Sequence, residues 1–232
     1  MKISIIIPIY NEEKTLEKVV LGVARVFEGK DFEIIIVNDG STDGTAEIIS
    51  KIKNSRIQTV SHDRNYGKGR AIQSGLEKAK GDYIAIQDAD LEYNPETLYE
   101  LYKNCGSKAS AESVIYGKRK GDKGYLFNRI GNRILSLVCN ILFSSKLSDI
   151  YTCYKIIPRK LMQELDLKSN GFEIEAEVTA KILKRKINIL EISIPYSPRT
   201  FREGKKINWR DGYRGIIILI KTLWWTLPDS NW

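Results

Sequence analysis

Cysteine is scarce in this chain. There are three, Cys105, Cys139 and Cys153. An odd number with no metal-ligand spacing argues against a disulfide framework or a zinc site, and points to a reduced compartment and plain packing roles. Histidine is scarcer still: His62 stands alone and reads as a surface loop residue, so a histidine base beside a substrate is not expected in the second half. No apolar stretch reaches the roughly 18–20 residues that a membrane-spanning helix needs. The chain opens on a strand-like run, Lys2–Ile9, and not on the charged, apolar and small-residue succession of a signal peptide. The expectation is a protein made in the cytosol and kept on its cytosolic side. Internal repeats and low-complexity segments are also missing. No Gly-x-Gly-x-x-Gly follows the first strand, which excludes the dinucleotide fingerprint. Gly67–Lys68–Gly69 lacks the glycine four residues ahead and the following Ser or Thr of a P-loop.

What is present is an apolar fraction of 42% over 232 residues, enough for one large domain with a sizeable core. Lys plus Arg exceed Asp plus Glu by 37 − 29 = 8. That excess favours anionic partners such as phosphates, an acidic membrane surface or nucleic acid.

The first half alternates apolar strands with amphipathic helices. Lys2–Ile9 and Glu33–Val37 are β-branched, apolar runs that read as strands buried on both faces. A shorter strand is expected near Ile57–Val60 and another at Tyr83–Gln87, with helices ending near Phe27, Lys53 and Ala79. Such alternation means βαβ units and a mostly parallel sheet flanked by helices. The loops rich in Gly, Asp and Asn all follow strands, so they gather at one end of the sheet as a nucleotide crevice. The second half is less regular. A strand at Val114–Lys118 leads into a basic loop, a helix runs to about Phe143, and Ser148–Thr152 forms a loop. A helix from Glu173 and a strand at Ile189–Ile194 follow. Then comes a basic run, Arg199, Arg202, Lys205, Lys206 and Arg210. The division expected is one domain over 1–211, with a nucleotide-binding half to about 95 and an acceptor-binding half beyond. An amphipathic helix is expected over 212–232, read either as a core helix packed on the sheet or as a membrane-interfacial helix with Trp224 and Trp225 at headgroup depth.

The chain is organised around Gln87–Asp88–Ala89–Asp90. Two carboxylates with one small residue between them lie where a strand stops. Like charges this close repel unless water or a cation stands between them. A hard divalent cation fits, because Mg²⁺ takes one or two protein carboxylates and completes its shell with substrate phosphates. The plain alternative for any isolated Asp-x-Asp is a solvated acidic turn.

Four motifs in order, Ile5–Pro8–Tyr10–Asn11–Glu12, Val37–Asn38–Asp39–Gly40–Ser41–Thr42–Asp43, Gly67–Lys68–Gly69 and Gln87–Asp88–Ala89–Asp90–Leu91, resemble family 2 glycosyltransferases of the GT-A fold. The nearest pattern is that of dolichyl-phosphate mannose synthases and other polyprenyl-phosphate sugar transferases. The resemblance implies that Pro8, Tyr10 and Glu12 line the nucleotide pocket and that Val37 and Asp39 contact the base. It implies that Asp88 and Asp90, around Ala89, bind Mg²⁺ or Mn²⁺ on the donor diphosphate, with Glu92 completing the metal shell. Lys68 joins the donor site. Arg119 and Arg129 resemble the arginines that hold a lipid phosphate, and Arg199 and Lys205 the loop that closes on the donor phosphates. Where relatives offer a Ser one turn past Arg129, this chain has Asn132–Arg133. Where many have Gly, it has Cys153.

The implied activity is inverting sugar transfer from a nucleotide sugar, GDP-mannose or a UDP-hexose, to a polyprenyl phosphate at the cytosolic membrane face. A lipid phosphate is already ionised at neutral pH and needs no general base. Arginine binds phosphate oxygens as a fork, so the basic second half suits that acceptor. Two other readings stay open. One is transfer to a glycan hydroxyl, which would need Asp149 or Glu173 as base. The other is a non-catalytic basic module that holds nucleic acid, although aromatic and basic residues are not interleaved on one platform.

Overall fold

The computed structural model describes residues 1–105, 114–120, 126–199 and 209–226, and the side chains of 126–128 are excluded. Its centre is a seven-stranded sheet. In chain order the strands are β1 (Ile3–Ile9), β2 (Phe32–Asn38), β3 (Ile57–Ser61), β4 (Tyr83–Ile86), β5 (Val114–Arg119), β6 (Lys155–Pro158) and β7 (Ile189–Ile194). The helices are α1 (Leu16–Val26), α2 (Thr45–Lys51), α3 (Lys68–Lys78), α4 (Pro95–Tyr102), α5 (Leu126–Phe143), α6 (Arg159–Glu164), α7 (Ile174–Lys184) and α8 (Trp209–Thr222).

In space the strands run β3-β2-β1-β4-β6-β5-β7. β1, β2, β3 and β4 are mutually parallel, with Ile5 opposite Ile34 on one side and Ala85 on the other. Their near-continuous Ile and Val runs follow from helices covering both faces of the sheet. All seven residues of β2 are buried, Glu33 included. Ser4 donates to Glu33 at 2.6 Å, and Lys2 pairs with it at 3.2 Å. β6 is the exception, antiparallel to both β4 and β5, while β5 and β7 pair in parallel. The sheet is thus continuous from the first strands into the second half of the chain.

Two loops beyond the sheet are stitched together. The Ser41 and Thr45 hydroxyls accept from the Asn11 and Glu12 amides, Asp43 accepts from the Glu13 amide, and Glu13 accepts from the Gly44 amide at 2.8 Å. The loop after β1 and the loop after β2 therefore act as one wall. Gly67 opens α3 with φ of +102°, and a Cβ on Gly69 would stand 2.2 Å from the Ser169 carbonyl oxygen. The two glycines let the α3 N-terminus lie against backbone 169–170, a contact that a side chain would prevent.

Candidate active site

β4 ends at Ile86, and Gln87 is wholly buried just beyond it. The Tyr154 hydroxyl lies 2.7 Å from Gln87 Oε1 and 2.9 Å from the Asn94 carbonyl oxygen, so β6 fixes the start of the acidic loop. Asp88 and Asp90 follow, with side chains about one-fifth exposed (21% and 18%). Ala89 between them is packed into the core. Leu91 has φ of +61°, which turns the chain so that Asp90 Oδ1 accepts from the Glu92 amide at 3.0 Å.

Each carboxylate has a cation beside it. Lys68, at the start of α3, lies 2.8 and 3.0 Å from the two Asp88 oxygens and 3.1 Å from Glu175. Burial opposes the charge on Lys68, yet the surrounding acids, Asp88 foremost, hold its pKa well above the ordinary lysine value. Asp90 lies 3.4 Å from Arg199, whose guanidinium also takes both Glu12 oxygens at 3.1 Å. Arg199 thereby closes the gap between the loops after β1 and β4. Burial, and then the charges of Asp88 and Glu92, push Asp90 up to about 7. Glu92 is buried and accepts from the Arg199 amide at 2.7 Å and from the Tyr196 hydroxyl. In this state it anchors segment 196–199.

Arg119 terminates β5. Its Nε and Nη2 donate to the two Asp149 oxygens at 2.6 and 2.7 Å, and Asn132 of α5 donates to the same carboxylate at 2.9 Å. Its guanidinium stands 5.0 Å above the Tyr196 ring. Burial would raise the Asp149 pKa, but the adjacent guanidinium and its hydrogen bonds bring it below the usual carboxylate value. A carboxylate so held is a poor general base. Tyr196 connects the two clusters, with its ring against Arg119 and its hydroxyl on Glu92. Arg129 is half-buried on α5, one turn from Asn132. Lys205 lies outside the described residues.

The remaining expected positions fall as follows. Pro8 and Tyr10 are half-buried at the end of β1. Val37 is fully buried within β2, so a contact from it to a base would come through its backbone. Asp39 is 3% exposed, and its carboxylate accepts from the Tyr66 and Gly67 amides at 3.0 and 2.7 Å. His62 is not a surface residue: Nδ1 lies 2.6 Å from Asp39 and Nε2 2.9 Å from Ser74 Oγ. A loop histidine next to a turn gives no sequence cue for such a pairing. Lys155 and Glu175 were also missed. The Lys155 ammonium is buried between the Ile150 and Thr152 carbonyls and pairs with Glu175, which in turn touches Lys68. Glu173 accepts from the Gly171 amide, and its Oε2 is buried without a hydrogen-bond partner.

Crowded, mutually repelling carboxylates suit a divalent cation. Among the described residues, no group of three or more His, Cys, Asp or Glu side chains could hold a metal ion. The donor set therefore fits an ion shared with a substrate phosphate better than one caged by protein alone.

An open, mostly parallel sheet with an acidic loop after β4 defines the class of α/β folds whose ligands bind beyond the strand ends. Within that class, the chain belongs to glycosyl transferase family 2, whose family model matches residues 4–166. Undecaprenyl-phosphate 4-deoxy-4-formamido-L-arabinose transferases of Salmonella paratyphi B and Salmonella newport are each 29% identical over 210 residues, 88% of this chain. The chain spans 62% of the length of these curated relatives. Glucosyl-3-phosphoglycerate synthase from Mycobacterium tuberculosis superimposes on 99% of this chain and 80% of its own. The TM-score is 0.75 at 20% identity, in a crystal with Mn²⁺, uridine diphosphate and phosphoglyceric acid. The same protein with Mg²⁺ and uridine diphosphate also gives 0.75, over 81% of its length. The fold is GT-A, a single mostly parallel sheet flanked by helices. Among the described residues, no helix is long and apolar enough to cross a membrane.

Proposed function

We propose that this protein transfers a sugar from a nucleotide diphosphate sugar to a polyprenyl phosphate at a membrane surface, in a metal-dependent reaction. One observation carries the reading: Tyr196 bridges the acidic loop and the clamped arginine, with its hydroxyl on Glu92 and its ring against Arg119. An acidic pair suits a diphosphate with its cation, and a fixed guanidinium suits a second phosphate. The names of the curated relatives include undecaprenyl phosphate, which supports the lipid acceptor.

In this mechanism Asp88 and Asp90 would hold Mg²⁺ or Mn²⁺. When bound, such an ion supplies Lewis acidity toward the diphosphate. Pro8, Tyr10, Glu12, Val37 and Asp39 form the nucleotide wall. Arg199 moves from Glu12 and Asp90 onto the leaving diphosphate and stabilises its charge. Lys68 holds Asp88 in place. Arg119 has N–H donors beyond the two given to Asp149, and with Arg129 it orients the acceptor phosphate. No proton has to be removed from that phosphate. The unpartnered Glu173 oxygen favours a hydroxyl acceptor instead, because it offers a base where Asp149 does not.

The test is a partition assay. Protein, Mn²⁺ or Mg²⁺ and polyprenyl phosphate are mixed with radiolabelled GDP-mannose, UDP-glucose or UDP-N-acetylglucosamine in turn. Metal-dependent label in the organic phase is the expected result. Donor hydrolysis with no lipid product, abolished by Glu173→Gln, would shift the reading to a glycan hydroxyl.

A further inference from the structure

Two packed helices leave their outer faces uncovered. α5 packs on α8 through Leu135, which meets Gly215. On α5, Ile130, Ile134, Leu137 and Ile141 are 45%, 47%, 59% and 69% exposed. Their spacing of four, three and four residues marks one helical face. On α8 and the turn after it, Trp209, Tyr213, Ile220 and Trp224 are 78%, 61%, 41% and 74% exposed. The opposite side of α8, Asp211, Gly215, Leu219 and Thr222, is buried. An exposed patch this apolar on a soluble face marks an interaction surface.

Charge indicates what covers it. α5 carries Arg129 and Arg133, and α8 carries Arg210, Arg214 and Lys221. Of these, Arg214 and Lys221 are exposed beside the α8 stripe, and the one carboxylate of the two helices, Asp211, is buried. A second copy docked face to face would set cations against cations. An anionic lipid surface would accept both the stripes and the charges, with Trp209, Tyr213 and Trp224 at headgroup depth; Trp225, expected there too, instead stacks on Lys181 and Arg185 of the fold. The face is also tied to the candidate acceptor site. Asn132 of α5 holds Asp149, and the Tyr151 hydroxyl is tucked against Gly215 of α8.

We propose that the exposed stripes of α5 and α8 form one docking face for an anionic bilayer, resting on the lipid-acceptor reading above and extending it to how the site meets its acceptor. The face is built from two helices 83 residues apart at their first residues, 126 and 209, and not from the C-terminal segment alone. Docking brings Arg119 and Asp149 to the headgroup layer, where a polyprenyl phosphate presents its phosphate.

The experiment is vesicle flotation of the full chain, with phosphatidylcholine alone or with about 30% phosphatidylglycerol, at low and high salt. The expected result is flotation with the anionic vesicles that weakens with salt. Removing one cation, as in Arg214→Ala or Lys221→Ala, weakens partitioning about fivefold. Leu137→Glu with Ile141→Glu weakens it at least about tenfold, with circular dichroism unchanged. If that pair fails to fold, Leu137→Ser with Ile141→Ser takes its place. Sugar transfer to a water-soluble, short-chain polyprenyl phosphate stays as in the parent. Transfer to that acceptor without flotation overturns the docking face and leaves the acceptor reading standing. Flotation without transfer to any polyprenyl phosphate does the reverse. A dimer by light scattering that the glutamates dissociate, with flotation unaltered, also overturns the proposal.

Discussion

Asp149→Ala removes the carboxylate on which Arg119 is mounted. The Asp149 side chain is 5% exposed and the Arg119 side chain 20%, so solvent screens the pair little. The change deletes two charge-assisted bonds, at 2.6 and 2.7 Å, and takes the Asn132 amide's acceptor with them. Breaking a buried pair from one side costs about 3–5 kcal/mol, because the other charge is left uncompensated. The partial exposure of Arg119 places the expected loss near the lower figure, about 3 kcal/mol. Urea unfolding at pH 7 reads this as a lower midpoint at unchanged slope. Asp149→Asn, which keeps one acceptor oxygen, should lose less. The pH dependence has a definite sign. The folded pKa of Asp149 lies below its ordinary value, so its contribution is fully present above about pH 4, the unfolded value. It fades as pH falls through the folded pKa, and the gap between parent and Asp149→Ala should narrow there. A loss under about 1 kcal/mol at pH 7, or a gap that widens on acidification, would refute the clamp.

Asp90→Asn should lower sugar transfer at least about 100-fold without loss of thermal stability, since one of three crowded carboxylates is neutralised; unchanged turnover would remove Asp90 from the site. Glu175→Ala should cost about 3 kcal/mol or more, because Lys155, which is 1% exposed, is left buried without its partner; Lys155→Met, which leaves Glu175 beside Lys68, should cost less in the same urea series. Gly69→Ala sets a methyl 2.2 Å from the Ser169 carbonyl oxygen and should cost about 1–3 kcal/mol; a neutral result would mean that the α3 N-terminus can slide.

The parallel half was legible because strands buried on both faces become long apolar runs, as in Ile3–Ile9 and Phe32–Asn38. β6 was not. It is four residues long, begins with a lysine and ends with a proline, and its antiparallel place is decided by partners far along the chain. Lys155 shows the same limit: local pattern assigns a lysine to solvent, while Glu175, 20 residues on, makes it a core residue. Arg119 and Asp149 were both visible as candidates, one for a phosphate and one for a base. Their 30-residue separation concealed that each determines the chemistry of the other. His62 escaped for the same reason, since Asp39 and Ser74 reach it through the fold and not through sequence spacing.

The antiparallel insertion of β6 also affects how the chain is made. During synthesis β4 emerges with β1 on one side and an open edge on the other. It stays open until Lys155–Pro158 arrives about seventy residues later. At roughly 5–20 residues per second that interval lasts several seconds. An uncapped apolar edge is a template for wrong pairing, so a fragment ending after α4 should aggregate, whereas one that runs through β7 carries the strands that cover both β4 and β5.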